Sequence, residues 1–335
     1  MAHLRNYATL PECEVAALAE PRKRTAELVA ARYGIDSVYD DHKQMIDNEK
    51  LDGIVAVQPF ERHAELLPEL YDAVGFIFTE KPLALSVDAG KRLLDAAEKK
   101  GCIHMVGYHK RSDPAVAYAK RLIEEWRGSG EAGPLKYVRI TMPEGDWIQQ
   151  GLTGLLDAGD EVPQGIPLEG LPSDMDEETG RRYRSFVNYY IHQVNLMRYL
   201  MGEPYRVTYG ESSGVVMAVE SASGIAGIIE MNPYRTTVEW EESVLVAFEK
   251  AYIKIELCAP LAVNRTGRVE VYLDRDGEGD PYRKIPSLPW IDAMRQQAVN
   301  FVRVCRGEMD PPCDAREALE DLRVSRNYVT ARYRS

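Results

Sequence analysis

The chain has no apolar run long enough to span a bilayer, no block of clustered basic residues, and no GxGxxG turn near its start. The first absence argues against a membrane-spanning segment. The second argues against a nucleic-acid surface, since 41 Lys and Arg stand against 53 Asp and Glu for a net charge of −12. Cysteine is also sparse. Cys13, Cys102, Cys258, Cys305 and Cys313 are odd in number and without CxxC spacing. They read as reduced thiols of a cytoplasmic protein, not as a disulfide frame or a metal site. Met1–Arg5 has no apolar core of the kind a secretion signal carries. HExxH and GxxxxGK[ST] are missing too, which removes support for zincin and P-loop chemistry.

What is present divides into two halves of different period. Up to about residue 125, short apolar runs alternate with helical patterns. Strands are expected at 14–19, 37–39, 53–57, 74–81 and 103–108, and helices at 21–33, 42–48, 63–71, 86–100 and 114–127. Strict alternation implies right-handed crossovers and a doubly wound parallel sheet. After Gly133 the runs lengthen and become rich in β-branched residues. Strands are expected at 135–142, 206–211, 215–220, 224–231, 236–248 and 251–257, with helices at 184–201, 291–306 and 315–333. The fold class is therefore α/β followed by α+β with a large, mostly antiparallel open sheet, with domains expected at 1–127 and 128–335. Residues 142–183 fit neither pattern and are rich in Gly, Pro and acids. A stretch of that length suggests a lid or an oligomer contact.

The most informative segment is Val74-Gly75-Phe76-Ile77-Phe78 running into Thr79-Glu80-Lys81-Pro82. Open α/β sheets bind ligands beyond the carboxyl ends of their strands. A lysine there can lose hydration and with it part of its basicity, and Pro82 restricts its backbone.

Together with Gln58-Pro59-Phe60-Glu61-Arg62-His63, Gly107-Tyr108-His109-Lys110-Arg111, Asn188-Tyr189-Tyr190-Ile191-His192 and Leu200-Met201-Gly202-Glu203-Pro204, this segment resembles the glucose–fructose oxidoreductase / inositol dehydrogenase / MocA family. The motifs occur in order over nearly the whole chain. The resemblance implies a Rossmann-like domain for NAD or NADP and a C-terminal sheet that contacts a sugar-like substrate and builds a homodimer or homotetramer. It implies catalytic roles for Lys81, joined to Pro82 by a cis peptide, and for His192. His192 would serve as base toward a substrate hydroxyl, with the Lys81 ammonium steadying the developing alkoxide. It further implies that Glu20, Arg22, Gln58, Pro59, His63, Glu80 and Lys81 line the dinucleotide, and that Tyr108, Arg111, Asn188, Tyr189 and His192 line the substrate. No metal is expected. Glu20 closes a strand where an acid would hold the ribose hydroxyls, which favours NAD. Arg22, Lys23 and Arg24 keep NADP open.

Two departures stand out. Asn188 occupies the position where the family usually has an aspartate, four residues before the histidine and so one helical turn away. The first strand and its glycine-rich turn are not found, and Met1–Tyr7 resembles the helix that follows them. Roughly 15 to 20 upstream residues are expected in the working protein, the competing expectation being a truncated chain that holds dinucleotide poorly.

Overall fold

The computed structural model describes residues 1–149, 153–161, 163–277 and 279–333. The first half contains α1 (Ala2–Tyr7), β1 (Ala17–Ala19), α2 (Lys23–Tyr33), β2 (Ser37–Tyr39), α3 (His42–Asn48), β3 (Ile54–Ala56), α4 (His63–Ala73), β4 (Phe76–Glu80), α5 (Val87–Lys100), β5 (Ile103–Gly107) and α6 (Pro114–Ser129). All of its strand pairs are parallel, in two groups: β1 with β2, and β3–β4–β5 with β4 in the centre. The strand expected from Glu14 is confined to its last three residues.

The second half holds β6 (Leu135–Glu144), α7 (Glu177–Tyr189), α8 (Ile191–Met201), β7 (Tyr205–Gly210), β8 (Val216–Ser221), β9 (Ala226–Arg235), β10 (Glu242–Phe248), β11 (Ala251–Leu257), β12 (Arg268–Leu273), β13 (Tyr282–Lys284), α9 (Ala293–Cys305) and α10 (Ala315–Tyr333). Eight strands form one sheet in the order β13-β12-β11-β10-β6-β9-β8-β7, antiparallel except where β6 runs parallel to β9. The strand expected over 236–248 begins only at Glu242, as β10. β9 runs on to Arg235, and the chain turns before β10, with Thr236 N–H donating to the Glu144 carbonyl at 2.8 Å.

Alternation explains how this sheet packs. Val138, Ile140, Ile229, Met231, Val244, Val246, Ile253 and Ile255 point to one face and are buried. Helix α8 lies on β6 and β9, and α6 on β11 and β12. The opposite face presents Thr141, Ala218, Ile228, Leu245, Tyr252 and Tyr272, all only partly buried. Ile225 also belongs to the covered core, at 4% exposure, as does Val244 at 2%.

The last two helices return to the first half. α9 packs on α1 and β4, and α10 on α5. The segment before α10 lies along β5, where the Val106 N–H donates to the Cys313 carbonyl at 2.9 Å. Gly107 ends β5 because a Cβ there would lie 2.8 Å from the Phe78 ring and 3.0 Å from the Thr79 carbonyl.

Candidate functional site

Strand β4 delivers Lys81 by burying what precedes it. Ile77, Phe78 and Thr79 are inaccessible to solvent, so the sheet's carboxyl edge carries the first residues able to meet a ligand. The Lys81–Pro82 peptide is cis. Leu83, Ala84 and Leu85 then dive into the core. His63, also fully buried, holds this turn from below through Nδ1 and the Leu83 carbonyl at 3.0 Å. Burial lowers its pKa to about 4, so the ring is neutral and its Nδ1–H donates. His63, expected at the dinucleotide, sits in the core beneath the lysine segment, with Nε2 buried and without a partner among the described residues.

Lys81 Nζ donates to the main-chain carbonyl of Asn188. That acceptor exists because the helix expected to run unbroken over 184–201 is divided. Tyr190, at φ −95° and ψ −2°, separates α7 from α8, and the last turn of a helix has carbonyls without intrahelical partners. Asn188 and His192 therefore do not share one helix face as the four-residue spacing suggests. The Asn188 side chain is exposed, and its contribution to the site is a backbone oxygen.

Burial brings the Lys81 pKa down to about 8, with Glu80 opposing and the Lys110 charge assisting. His192, second residue of α8, has its ring centroid 4.5 Å from that of His109 and 5.8 Å from that of Tyr108, both nearly edge-on. Burial first, then His109, Lys81 and Lys110, hold the His192 pKa well below the ordinary value. Its Nδ1 is buried without a hydrogen-bond partner.

Lys110 escaped sequence reasoning although it lies within a quoted motif. It is buried, and Nζ lies 2.5 Å from Glu242 Oε2, while the other oxygen accepts from Gln193 Nε2 at 2.8 Å. His3 was also missed. Its Nε2 lies 2.7 Å from Glu80 Oε1.

Tyr108 and Arg111 part company here. The Tyr108 ring faces His192. Arg111 is drawn into a buried network, donating to Asn195 Oδ1 at 2.7 Å, the Pro312 carbonyl at 2.6 Å and Glu317 at 2.9 Å. Its guanidinium is thus engaged by Glu317 of α10. Tyr189 keeps a buried hydroxyl without a partner and packs edge-on against Tyr190.

At the far end of the cleft, Glu20 follows β1 and is forked by Arg22, with Nε–Oε1 at 2.8 Å and Nη2–Oε2 at 2.9 Å. Arg22 provides no side-chain cap for α2. Asp160 takes that place, accepting from the Thr25 N–H at 2.7 Å. The acid-rich stretch thus lies over the first turn of α2.

These residues fit a nicotinamide better than an adenosine. Gln58 Nε2, beyond β3, and His192 Nδ1 are buried polar atoms lacking partners among the described residues, which a polar ring beside Lys81 would satisfy. Pro59, next along, is exposed. Glu20 and the Thr25 amide are already engaged. Among the described residues no group of three or more His, Cys, Asp or Glu is placed to hold a metal ion. Among the described residues no helix is long and apolar enough to cross a membrane. The run Gly210-Glu211-Ser212-Ser213-Gly214 has GxSxG spacing, but it forms the turn between β7 and β8, whereas a nucleophile elbow needs a strand-to-helix turn.

Residues 1–108 match the family model described as an oxidoreductase family with an NAD-binding Rossmann fold. The chain is 27% identical over 244 residues to the scyllo-inositol 2-dehydrogenase (NAD(+)) of Bacillus subtilis, covering 68% of this chain and 62% of that protein. Over 108 residues it is 35% identical to the levoglucosan dehydrogenase of Pseudarthrobacter phenanthrenivorans, covering 32% and 28%. The chain thus spans under two thirds of the length of these relatives. A crystal structure of an oxidoreductase domain protein from Kribbella flavida superposes with a TM-score of 0.73 at 18% identity, covering 99% of this chain and 93% of that one. At that identity the likeness speaks to the fold alone.

Proposed function

Because the chain belongs to the glucose–fructose oxidoreductase / inositol dehydrogenase / MocA family, we propose that it is a nicotinamide-dependent oxidoreductase acting on the CH–OH group of a sugar, cyclitol or related polyol. The observation that carries this reading is the pairing of a half-buried lysine of lowered basicity with a neutral, unpartnered histidine nitrogen at the end of the central strand. Residues 1–127 are the dinucleotide half and 128–335 the substrate half in this proposal. The protein works in the cytoplasm, with copies joined through the open sheet face around Ile228, Leu245 and Tyr252.

When bound, the nicotinamide supplies the hydride acceptor. The chain's own residues handle the proton. Lys81, with a pKa near 8, is better matched to accept a hydroxyl proton at neutral pH than a histidine held far below its usual range. This reverses the roles expected from the motifs: Lys81 is the base, and His192 is a neutral partner that orients the hydroxyl. Lys110, fixed by Glu242, keeps positive potential beside both groups and favours the alkoxide. NAD is preferred over NADP because Glu20 already occupies Arg22, which a 2′-phosphate would have to detach.

A second reading, a ligand-binding relative without turnover, is favoured by one observation. Asp160 and Arg22 occupy the positions where an adenosine ribose would contact the chain. Incubation with NAD and a panel of carbon-deuterated polyols that includes the inositols discriminates between the two. Deuterium in the reduced cofactor is expected from at least one panel member. Cofactor that stays free of deuterium with every member, under conditions where dinucleotide is bound, favours the second reading.

A further inference from the structure

Residues 154–160 belong to the second half of the chain and lie against α2 of the first. Arg32 Nη1 donates to the Gly154 carbonyl at 2.5 Å, and the Ala158 N–H donates to the Thr25 hydroxyl at 3.3 Å. The Thr25 N–H in turn donates to Asp160 Oδ2 at 2.7 Å. Under this strap Thr25 is only 4% exposed, whereas Asp160 itself stays half-buried.

Position and charge together give the contact a meaning for binding. In a Rossmann-like sheet the ribose 2′ position of a dinucleotide falls at a strand-to-helix turn, where an acid serves NAD and an arginine serves NADP. Here that turn carries Glu20 and Arg22, with Lys23 and Arg24 exposed beside them. Helix starts also attract phosphates through their unpaired amides, and Asp160 has already claimed one. The Arg22 guanidinium is held charged by its hydrogen bond to Glu20 first, against partial burial, and then by the charges of Glu20, Asp157 and Asp160. A group that would meet a phosphate thus already faces three carboxylates.

We propose that Asp160 sets the dinucleotide preference: its carboxylate, supplied from 135 residues beyond Thr25, stands where a 2′-phosphate would bind and repels it, while the neutral ribose hydroxyls of NAD are accepted. The assignment rests on the nicotinamide reading above. Ribose hydroxyls can donate to Glu20 without releasing Asp160 from Thr25. A phosphate would have to displace Asp160 or sit against it. Arg22, Lys23 and Arg24 by themselves favour the phosphate, so the preference is decided by a residue that the turn's own sequence does not contain.

The test is a set of fluorescence titrations of the full chain with NADH and with NADPH, for the parent, Asp160→Asn and Asp160→Lys. Asparagine keeps an oxygen for the Thr25 N–H and removes only the charge; lysine reverses it. The Kd for NADPH is expected to fall about 10-fold in Asp160→Asn, the order set by like charges a few ångströms apart in a half-exposed site. It should fall further in Asp160→Lys, while the Kd for NADH stays nearly unchanged in Asp160→Asn. A ratio of the two Kd values that remains at the parent's in both variants overturns this assignment alone. So does an equal weakening of both dinucleotides, which would mark Asp160 as a structural tie. Saturable binding of neither dinucleotide by any of the three proteins overturns the nicotinamide reading and the assignment with it.

Discussion

Lys81→Ala is expected to lower kcat for polyol oxidation by about 10³-fold, the usual range for loss of a positioned acid–base group, while changing dinucleotide affinity little. The lysine's one hydrogen bond is to the Asn188 carbonyl, so its removal leaves β4 and the turn held by His63 intact. Lys81→Arg should not rescue, because a guanidinium does not lose its proton in the working pH range. The pH profile gives an independent check. Only the neutral amine accepts a proton, so the oxidation rate should climb as pH rises through about 8, the value to which burial brings this group, and then level off. Steady-state rates and a fluorescence-measured dinucleotide Kd on the same preparations decide the matter. Full residual activity in Lys81→Ala would remove the residue from the mechanism.

The largest expected effect on stability lies outside the cleft. Asp321 is inaccessible to solvent and accepts from Arg198 Nε at 3.0 Å and Nη2 at 3.1 Å, and from Asn195 Nδ2 at 2.6 Å. Arg198 also reaches the Glu317 carbonyl at 2.7 Å. Asp321→Ala leaves the Arg198 guanidinium with the partly exposed Glu317 carboxylate at 3.1 Å in place of its buried partner and should cost about 3 kcal/mol, a large share of the 5–15 kcal/mol typical of folded proteins. The urea midpoint should drop accordingly. Arg198→Met combined with Asp321→Leu should recover much of the loss, because no uncompensated charge then remains. A midpoint for Asp321→Ala within error of the parent chain would show that the network does not carry α10.

How far these features were legible in the sequence depends on the range of the interactions that produce them. Strand β4 was legible because the apolar run Val74–Phe78 leads straight into Thr79-Glu80-Lys81-Pro82, a purely local signal. Strand β12 carried an equally local one, Arg-Val-Glu-Val-Tyr-Leu at period two, and passed unnoticed between a turn and a polar stretch. The division of α7 from α8 had no local signal, since residues 184–201 contain neither Gly nor Pro. It arises beside tertiary packing, where Phe186 meets Tyr328 at 4.8 Å and Tyr190 at 6.0 Å. The same holds for Lys110, whose carboxylate lies 132 residues away. Arg111 read as a site residue from its motif because its partners, 201 and 206 residues distant, are set by the tertiary fold alone. Motif order therefore brought forward Lys81 and His192 as the proposed catalytic pair, while Lys110 beside them is held by a residue no spacing rule connects.

The claim on which the rest depends is that the cleft beside Lys81 takes a nicotinamide dinucleotide. Titrating the chain with NADH and NADPH and following nicotinamide fluorescence tests it most directly. Saturable binding of NADH, tighter than that of NADPH and retained in Lys81→Ala, is the expected result; the absence of a saturable change with either dinucleotide would contradict it.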